Sequence, residues 1–216
     1  MSSIPLKSVG APKPAVVEGF EAIQRYWDPT TELWTAKILP GEYYVTRGAE
    51  AVTTVLGSCI SACMRDAQAG VGGMNHFMLP EDSERGSAWN SAGSGESTRF
   101  GIYAMESLIN ELLKLGARRP RLEVKIFGGG RILPSMTDVG MRNIAFARSF
   151  LKVEGLTVAA QDVGNVFPRR VLYFPDTGRV LLKHLPAIDS SAVASTESTY
   201  RARLGAKTGG NDVELF

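Results

Sequence analysis

The chain has 216 residues, a length that suits one domain with loose ends. Apolar residues make up 44% and charged residues 21%, as in an ordinary globular protein. The formal net charge of +2, with no long basic run, argues against a nucleic-acid binder, and no stretch approaches the ~20 apolar residues of a membrane span.

Residues 1–19 carry Pro5, Pro12 and Pro14 among small residues and read as a disordered arm. They hold no apolar core of signal-peptide length, so a cytoplasmic location is expected. A folded domain is expected over 20–186. Lys37–Thr46 reads as a strand around the Pro40-Gly41 turn. Ala51–Leu56, Cys59–Arg65 and Val71–Leu79 are three more strand-like runs, with a turn over Asp66–Gly70, which together suggest a β-meander. Glu81–Arg99 is a long polar loop. Phe100–Leu115 has Ile102, Met105, Leu108, Ile109, Leu112 and Leu113 at helical spacing, with Gly116 as its stop. Leu122–Phe127 is a strand running into Gly128-Gly129-Gly130, and a second helix is expected from an N-cap at Thr137-Asp138 to Glu154. Three strands follow: Leu156–Asp162, Arg170–Phe174 and Arg179–Leu185, the last two joined by a hairpin at Pro175–Gly178. Residues 187–216 are rich in Ser and Gly and read as a flexible tail. The expected fold class is α/β: a mixed, largely antiparallel β-sandwich flanked by helices, in one domain.

Chemistry-bearing residues are few. The two cysteines are Cys59 and Cys63. On a strand, four residues at ~3.3 Å each put their Cα atoms about 13 Å apart. A disulfide needs less than ~7 Å, so reduced thiols are expected. This spacing also weighs against a thiol switch. Of the two histidines, His184 reads as a side chain on a strand face, whereas His76 is a polar residue in an apolar run, beside Asn75. Cys59 ends Leu56-Gly57-Ser58-Cys59. A glycine there permits a tight turn that aims backbone N–H groups at a developing oxyanion, with Gly57 and Ser58 as the donors. Neighbouring antiparallel strands would bring Cys59 and His76 together, and an imidazole beside a thiol stores its proton. A third group usually orients the imidazole, and Thr53, Thr54, Ser58 and Asn75 are all candidates from spacing. Two histidines with two close cysteines make a poor zinc set, so neither metal nor cofactor is expected. Gly128–Gly130 with Arg131 lacks the Gly-Lys-Ser/Thr ending of a phosphate loop and reads as close backbone packing. Arg118, Arg119, Arg121, Arg169 and Arg170 read singly as solvated loop charges and, taken together, as basic contacts for an acidic protein surface.

Leu56-Gly57-Ser58-Cys59 and Gly73-Met74-Asn75-His76-Phe77-Met78-Leu79-Pro80 together resemble the chemoreceptor glutamine deamidases of bacterial chemotaxis, the CheD family. The resemblance continues through Lys125–Gly129, Asn143, Asp162-Val163-Gly164 and Asp176–Val180, and spans roughly residues 38–185. It implies a sandwich similar to cytotoxic-necrotizing-factor toxins. It also implies hydrolysis of glutamine amides on methyl-accepting chemotaxis receptors, with Cys59 as nucleophile, His76 as base and Thr53 as the imidazole's anchor. Methylesterase activity is a second expected reaction, and a CheC-type phosphatase is a partner of some relatives. Neither nucleic acid nor membrane insertion is implied. The rival reading is a non-catalytic module that binds receptors or a partner.

Overall fold

The computed structural model describes residues 11–80, 96–132, 139–186 and 190–208. The Thr137-Asp138 cap and most of the Glu81–Arg99 loop lie outside the described residues.

In chain order the elements are β1 (Gln24–Asp28), β2 (Leu33–Lys37), β3 (Tyr43–Thr46), β4 (Glu50–Leu56), β5 (Ile60–Asp66), β6 (Val71–Asn75) and α1 (Glu96–Lys114). They continue with β7 (Glu123–Gly128), α2 (Val139–Val153), β8 (Val158–Val163), β9 (Arg169–Phe174), β10 (Arg179–His184) and α3 (Ser190–Thr208). Among the described residues the strands form two five-stranded sheets, ordered β1-β2-β4-β9-β10 and β3-β6-β5-β7-β8. Pairing is antiparallel except at β2–β4 and β7–β8. This is the mixed, largely antiparallel architecture expected from the sequence. No described helix is long and apolar enough to cross a membrane.

The second sheet forms the middle layer. Nearly every residue of β5 and β6 is buried, so both faces of these strands are covered. Helix α1 lies on β6, β3 and β5, and α2 lies on β5 and β7. Met105, Leu108, Ile109 and Leu112 of α1 are fully buried, as their spacing predicts, and each contributes roughly 2 kcal/mol of apolar burial. The opposite face packs against the first sheet, whose Val52, Leu56, Val171 and Tyr173 join the same core.

The first half of the chain is not a simple meander. β4 belongs to one sheet and β5 to the other, so the chain crosses between layers at Gly57-Ser58-Cys59. Alternation of apolar residues identifies a strand but not its sheet, because both β4 and β5 are covered on both faces. The N-terminal segment also differs from a disordered arm over its described part. Trp34 Nε1 donates to Ala11 O at 2.8 Å, and Arg25 donates to Pro14 O at 2.6 Å. The expected flexible tail differs too, since residues 190–208 form helix α3. Ser191, Ser195 and Ser198 sit on the helix exterior, and residues 190–204 contain neither glycine nor proline.

Of the arginines read as basic contacts, Arg121 pairs with Asp66 at 2.6 Å, and Arg119 pairs with Glu154. Arg169 is fully buried, where it meets the Asp162 carboxylate and the Asp162 and Gly164 carbonyls. These three are structural clamps. His184 is half exposed at the end of β10, stacked on Phe167.

Candidate active site

Cys59 and His76 sit at the same end of the β5–β6 hairpin. Backbone hydrogen bonds between Ile60 and Phe77, at 2.9 and 3.0 Å, hold the two flanking segments together. A thiol just before β5 is thereby brought to an imidazole just after β6. The Cys59 sulfur, a ring nitrogen of His76 and a carboxylate oxygen of Glu197 all lie within 4.8 Å of one another, and all three residues are buried.

The imidazole is held from one side. Thr54 Oγ1 donates to Ile38 O at 2.8 Å and lies 2.7 Å from His76 Nδ1. With its hydrogen committed to Ile38, the hydroxyl accepts from Nδ1–H, which leaves Nε2 unprotonated. His76 Nε2 is buried and has no hydrogen-bond partner among the described residues. Burial holds the His76 pKa down at about 4, against a smaller upward pull from Glu197. At neutral pH the ring is therefore an uncharged base with a free lone pair.

Thr53 does not perform the anchoring expected of it. Its hydroxyl donates to Val171 O at 2.8 Å, and its carbonyl accepts from Ile38 N at 3.0 Å. Successive strand residues point to opposite faces, so Thr53 faces away from the ring that Thr54 contacts. Asn75 also has other work. Its Oδ1 accepts from Ala62 N at 2.8 Å, and its Nδ2 donates to Ala104 O at 3.0 Å, which ties β6 to β5 and α1.

The crossing loop supplies a nest of donors. The N–H groups of Gly57, Ser58 and Cys59 donate to the Glu197 carboxylate at 2.8, 2.8 and 3.0 Å. The Ser58 hydroxyl adds a fourth contact at 2.6 Å. A β-carbon at position 57 would stand 2.5 Å from Ile132 Cδ1 and 2.9 Å from Glu197 Oε2, so only glycine lets an anion approach this loop. The loop is braced from behind. Gly129 N donates to Cys59 O and Gly130 N to Gly57 O, both at 2.7 Å, which is the backbone packing expected of the triple glycine. Asn143 of α2 donates to Ser58 O at 2.8 Å and accepts from Leu79 N at 2.9 Å.

Burial, the Glu197 charge and its hydrogen bond all push the Cys59 thiol well above its usual range. With Glu197 in place, the resting pair is a neutral thiol beside a neutral imidazole. Cys59, His76 and Glu197 are close enough to share a metal ion. However, both carboxylate oxygens already accept from backbone N–H groups, so the cluster is built as an anion site. Thr54 is one of the four candidates for orienting the imidazole, and the site group that sequence reasoning missed altogether is Glu197. A glutamate three residues after Ala194 and three before Tyr200, in a run free of glycine and proline, is the signal that could have found it.

A family described as CheD chemotactic sensory transduction matches residues 78–184. A protein of Halorhodospira halophila named probable chemoreceptor glutamine deamidase CheD is 48% identical over 207 residues, covering 96% of each chain. A protein of the same name from Hydrogenovibrio crunogenus is 50% identical over 197 residues, which is 90% of this chain and 100% of that one. A Dechloromonas aromatica relative, probable chemoreceptor glutamine deamidase CheD 1, is 50% identical over 90% of this chain and 95% of its own. Among solved structures, a Neisseria meningitidis protein of the DUF152 family overlaps 63% of this chain and 64% of its own, with a TM-score of 0.37 at 10% identity. At near half identity over almost their whole lengths, the three deamidase-named relatives show that the chain belongs to the CheD family.

Proposed function

We propose that the protein hydrolyses glutamine side-chain amides on chemoreceptors, with Cys59 as nucleophile. Its CheD relatives carry the name probable chemoreceptor glutamine deamidase. One observation carries the reading: a buried imidazole with an unpartnered Nε2 shares a 4.8 Å cluster with the Cys59 sulfur, beside three convergent backbone N–H groups. A non-catalytic binding module would have no use for that arrangement.

His76 Nε2 takes the thiol proton as Sγ attacks the glutamine Cδ. Thr54 keeps the proton on Nδ1 and fixes the ring plane. The developing oxyanion takes the place of a Glu197 oxygen among the N–H groups of Gly57, Ser58 and Cys59. His76 then returns its proton to the amide nitrogen, and ammonia leaves a thioester on Cys59. Water attacks that thioester with His76 again as base, giving glutamate and the free thiol. The same groups suit a glutamyl methyl ester, with methanol in place of ammonia. The chemistry requires no CheC-type phosphatase partner.

A receptor cytoplasmic fragment incubated with the protein should gain about 1 Da per converted glutamine, and Cys59→Ala should abolish the gain. Undiminished conversion by Cys59→Ala would remove Cys59 from the mechanism.

A further inference from the structure

Glu197 is a buried carboxylate on a helix that, among the described residues, buries little else. Among the described side chains of α3, Ala194, Glu197 and Leu204 are covered, and Val193, Tyr200 and Arg201 are half-covered. Ala194, Glu197, Tyr200 and Leu204 fall at helical spacing, so one narrow stripe of α3 faces the domain. A core-building stripe would carry an apolar residue at its centre, since an acid there must be stripped of water. Here the acid is matched instead by three backbone N–H groups and the Ser58 hydroxyl. Tyr200 lies over Gly41, where a β-carbon would come within 2.7 Å of its ring. Gly41 in turn donates to the His76 carbonyl at 2.8 Å. Beside the helix, a cavity of about 410 Å³ is lined by Pro40, Gly41, His76, Phe77, Tyr103 and Tyr200 among others. The cavity thus touches both α3, through Tyr200, and the reacting groups, through His76.

The donors that hold Glu197 are those assigned above to the oxyanion of a glutamine amide. Glutamate is also the product of that hydrolysis. We propose that the surface under α3 is the docking site for a substrate α-helix, and that α3 occupies it as a resident product analogue with Glu197 in the reacting position. The partner that fits is a helix with glutamine at the Glu197 position and a small residue three positions before it, where Ala194 lets the helix lie close. Because α3 belongs to the same chain, it is an intramolecular competitor that a substrate helix must displace.

This inference rests on the deamidase reading, and one substitution separates the two. Glu197→Gln places an amide where the carboxylate lies. Cys59 Sγ attacks the Cδ of that introduced amide, its Cδ–Nε2 bond breaks, and ammonia leaves with a proton from His76. Water then adds to the thioester, which restores the thiol and leaves glutamate. The full-length Glu197→Gln protein should therefore convert its own position 197, seen as a gain of about 1 Da in the peptide carrying it. The rate should be independent of protein concentration, and Cys59→Ala/Glu197→Gln should keep its glutamine. A Glu197→Gln protein that deamidates a receptor fragment yet retains the amide at position 197, or converts it only in proportion to protein concentration, overturns the proposal. If neither the fragment nor the introduced amide is converted, the deamidase reading falls and takes this one with it. Alkylation gives a second measurement that needs no turnover. Glu197→Ala and Tyr200→Ala should each speed iodoacetamide capture of Cys59, by roughly tenfold for the former, because charge-assisted bonds hold the helix down. Unchanged alkylation in both variants also overturns it.

Discussion

Thr54 and Thr53 are neighbours on one strand, and replacing each by valine separates anchoring from packing. Valine keeps the shape and removes the hydroxyl. In Thr54→Val, the buried His76 Nδ1–H loses the acceptor that lies 2.7 Å away. An unpaired buried donor costs ~1–3 kcal/mol. The ring can escape that cost by moving its proton to Nε2, and in that tautomer it cannot accept the thiol proton. Either route raises the barrier, and at tenfold per ~1.4 kcal/mol the expected loss in kcat is roughly 5- to 150-fold. Thr53→Val instead removes a bond to Val171 O in the opposite direction from the ring. Its expected cost is about 1 kcal/mol of stability, with kcat within about twofold of the parent. The assay is initial-rate conversion of a receptor cytoplasmic fragment read by mass, with urea unfolding as the control for stability. A larger kcat loss in Thr53→Val than in Thr54→Val would refute this reading of the imidazole's anchor.

Other expectations concern the same region. His76 is held at about 4 when folded and returns to about 6.5 when unfolded. The unfolded chain therefore binds the extra proton first, and this stability contribution is lost as pH falls from about 6.5 to 4, by at most roughly 3 kcal/mol. Urea midpoints across that range should fall more steeply for the parent than for His76→Asn. Asn143→Ala strips partners from both Ser58 O and Leu79 N, so its melting temperature should drop by an amount matching roughly 2–4 kcal/mol. Gly57→Ala puts a methyl group against Ile132 and the Glu197 carboxylate, and should cost ~1–3 kcal/mol while lowering turnover more than Thr53→Val does. Both are read by thermal denaturation beside the mass assay.

Much of this was legible in the sequence, for identifiable reasons. The helical spacing of Met105, Leu108, Ile109 and Leu112 wrote out the buried face of α1. The Pro175–Gly178 turn fixed the β9–β10 hairpin. Cys59 and His76 stood out because each is chemically costly where it sits, and a short hairpin joins them. What failed was geometry that one residue or one layer decides. Thr53 and Thr54 differ only in which way they point, and strand alternation settles that once the strand's faces are known. β4 and β5 read alike because both are covered on two sides, so the crossing at Gly57–Cys59 was invisible. Glu197 was hidden for another reason. Its helix is made largely of serines, threonines and alanines, and its carboxylate is bound by backbone N–H groups 138 to 140 residues earlier in the chain.

Turnover by this route passes through a thioester at Cys59, and hydroxylamine tests for it directly. During turnover of a receptor fragment, a thioester should be intercepted to give a glutamyl hydroxamate about 16 Da heavier than the parent glutamine, with Cys59→Ala giving neither hydroxamate nor glutamate. Full conversion to glutamate in excess hydroxylamine with no hydroxamate, or glutamate formed by Cys59→Ala, would contradict it.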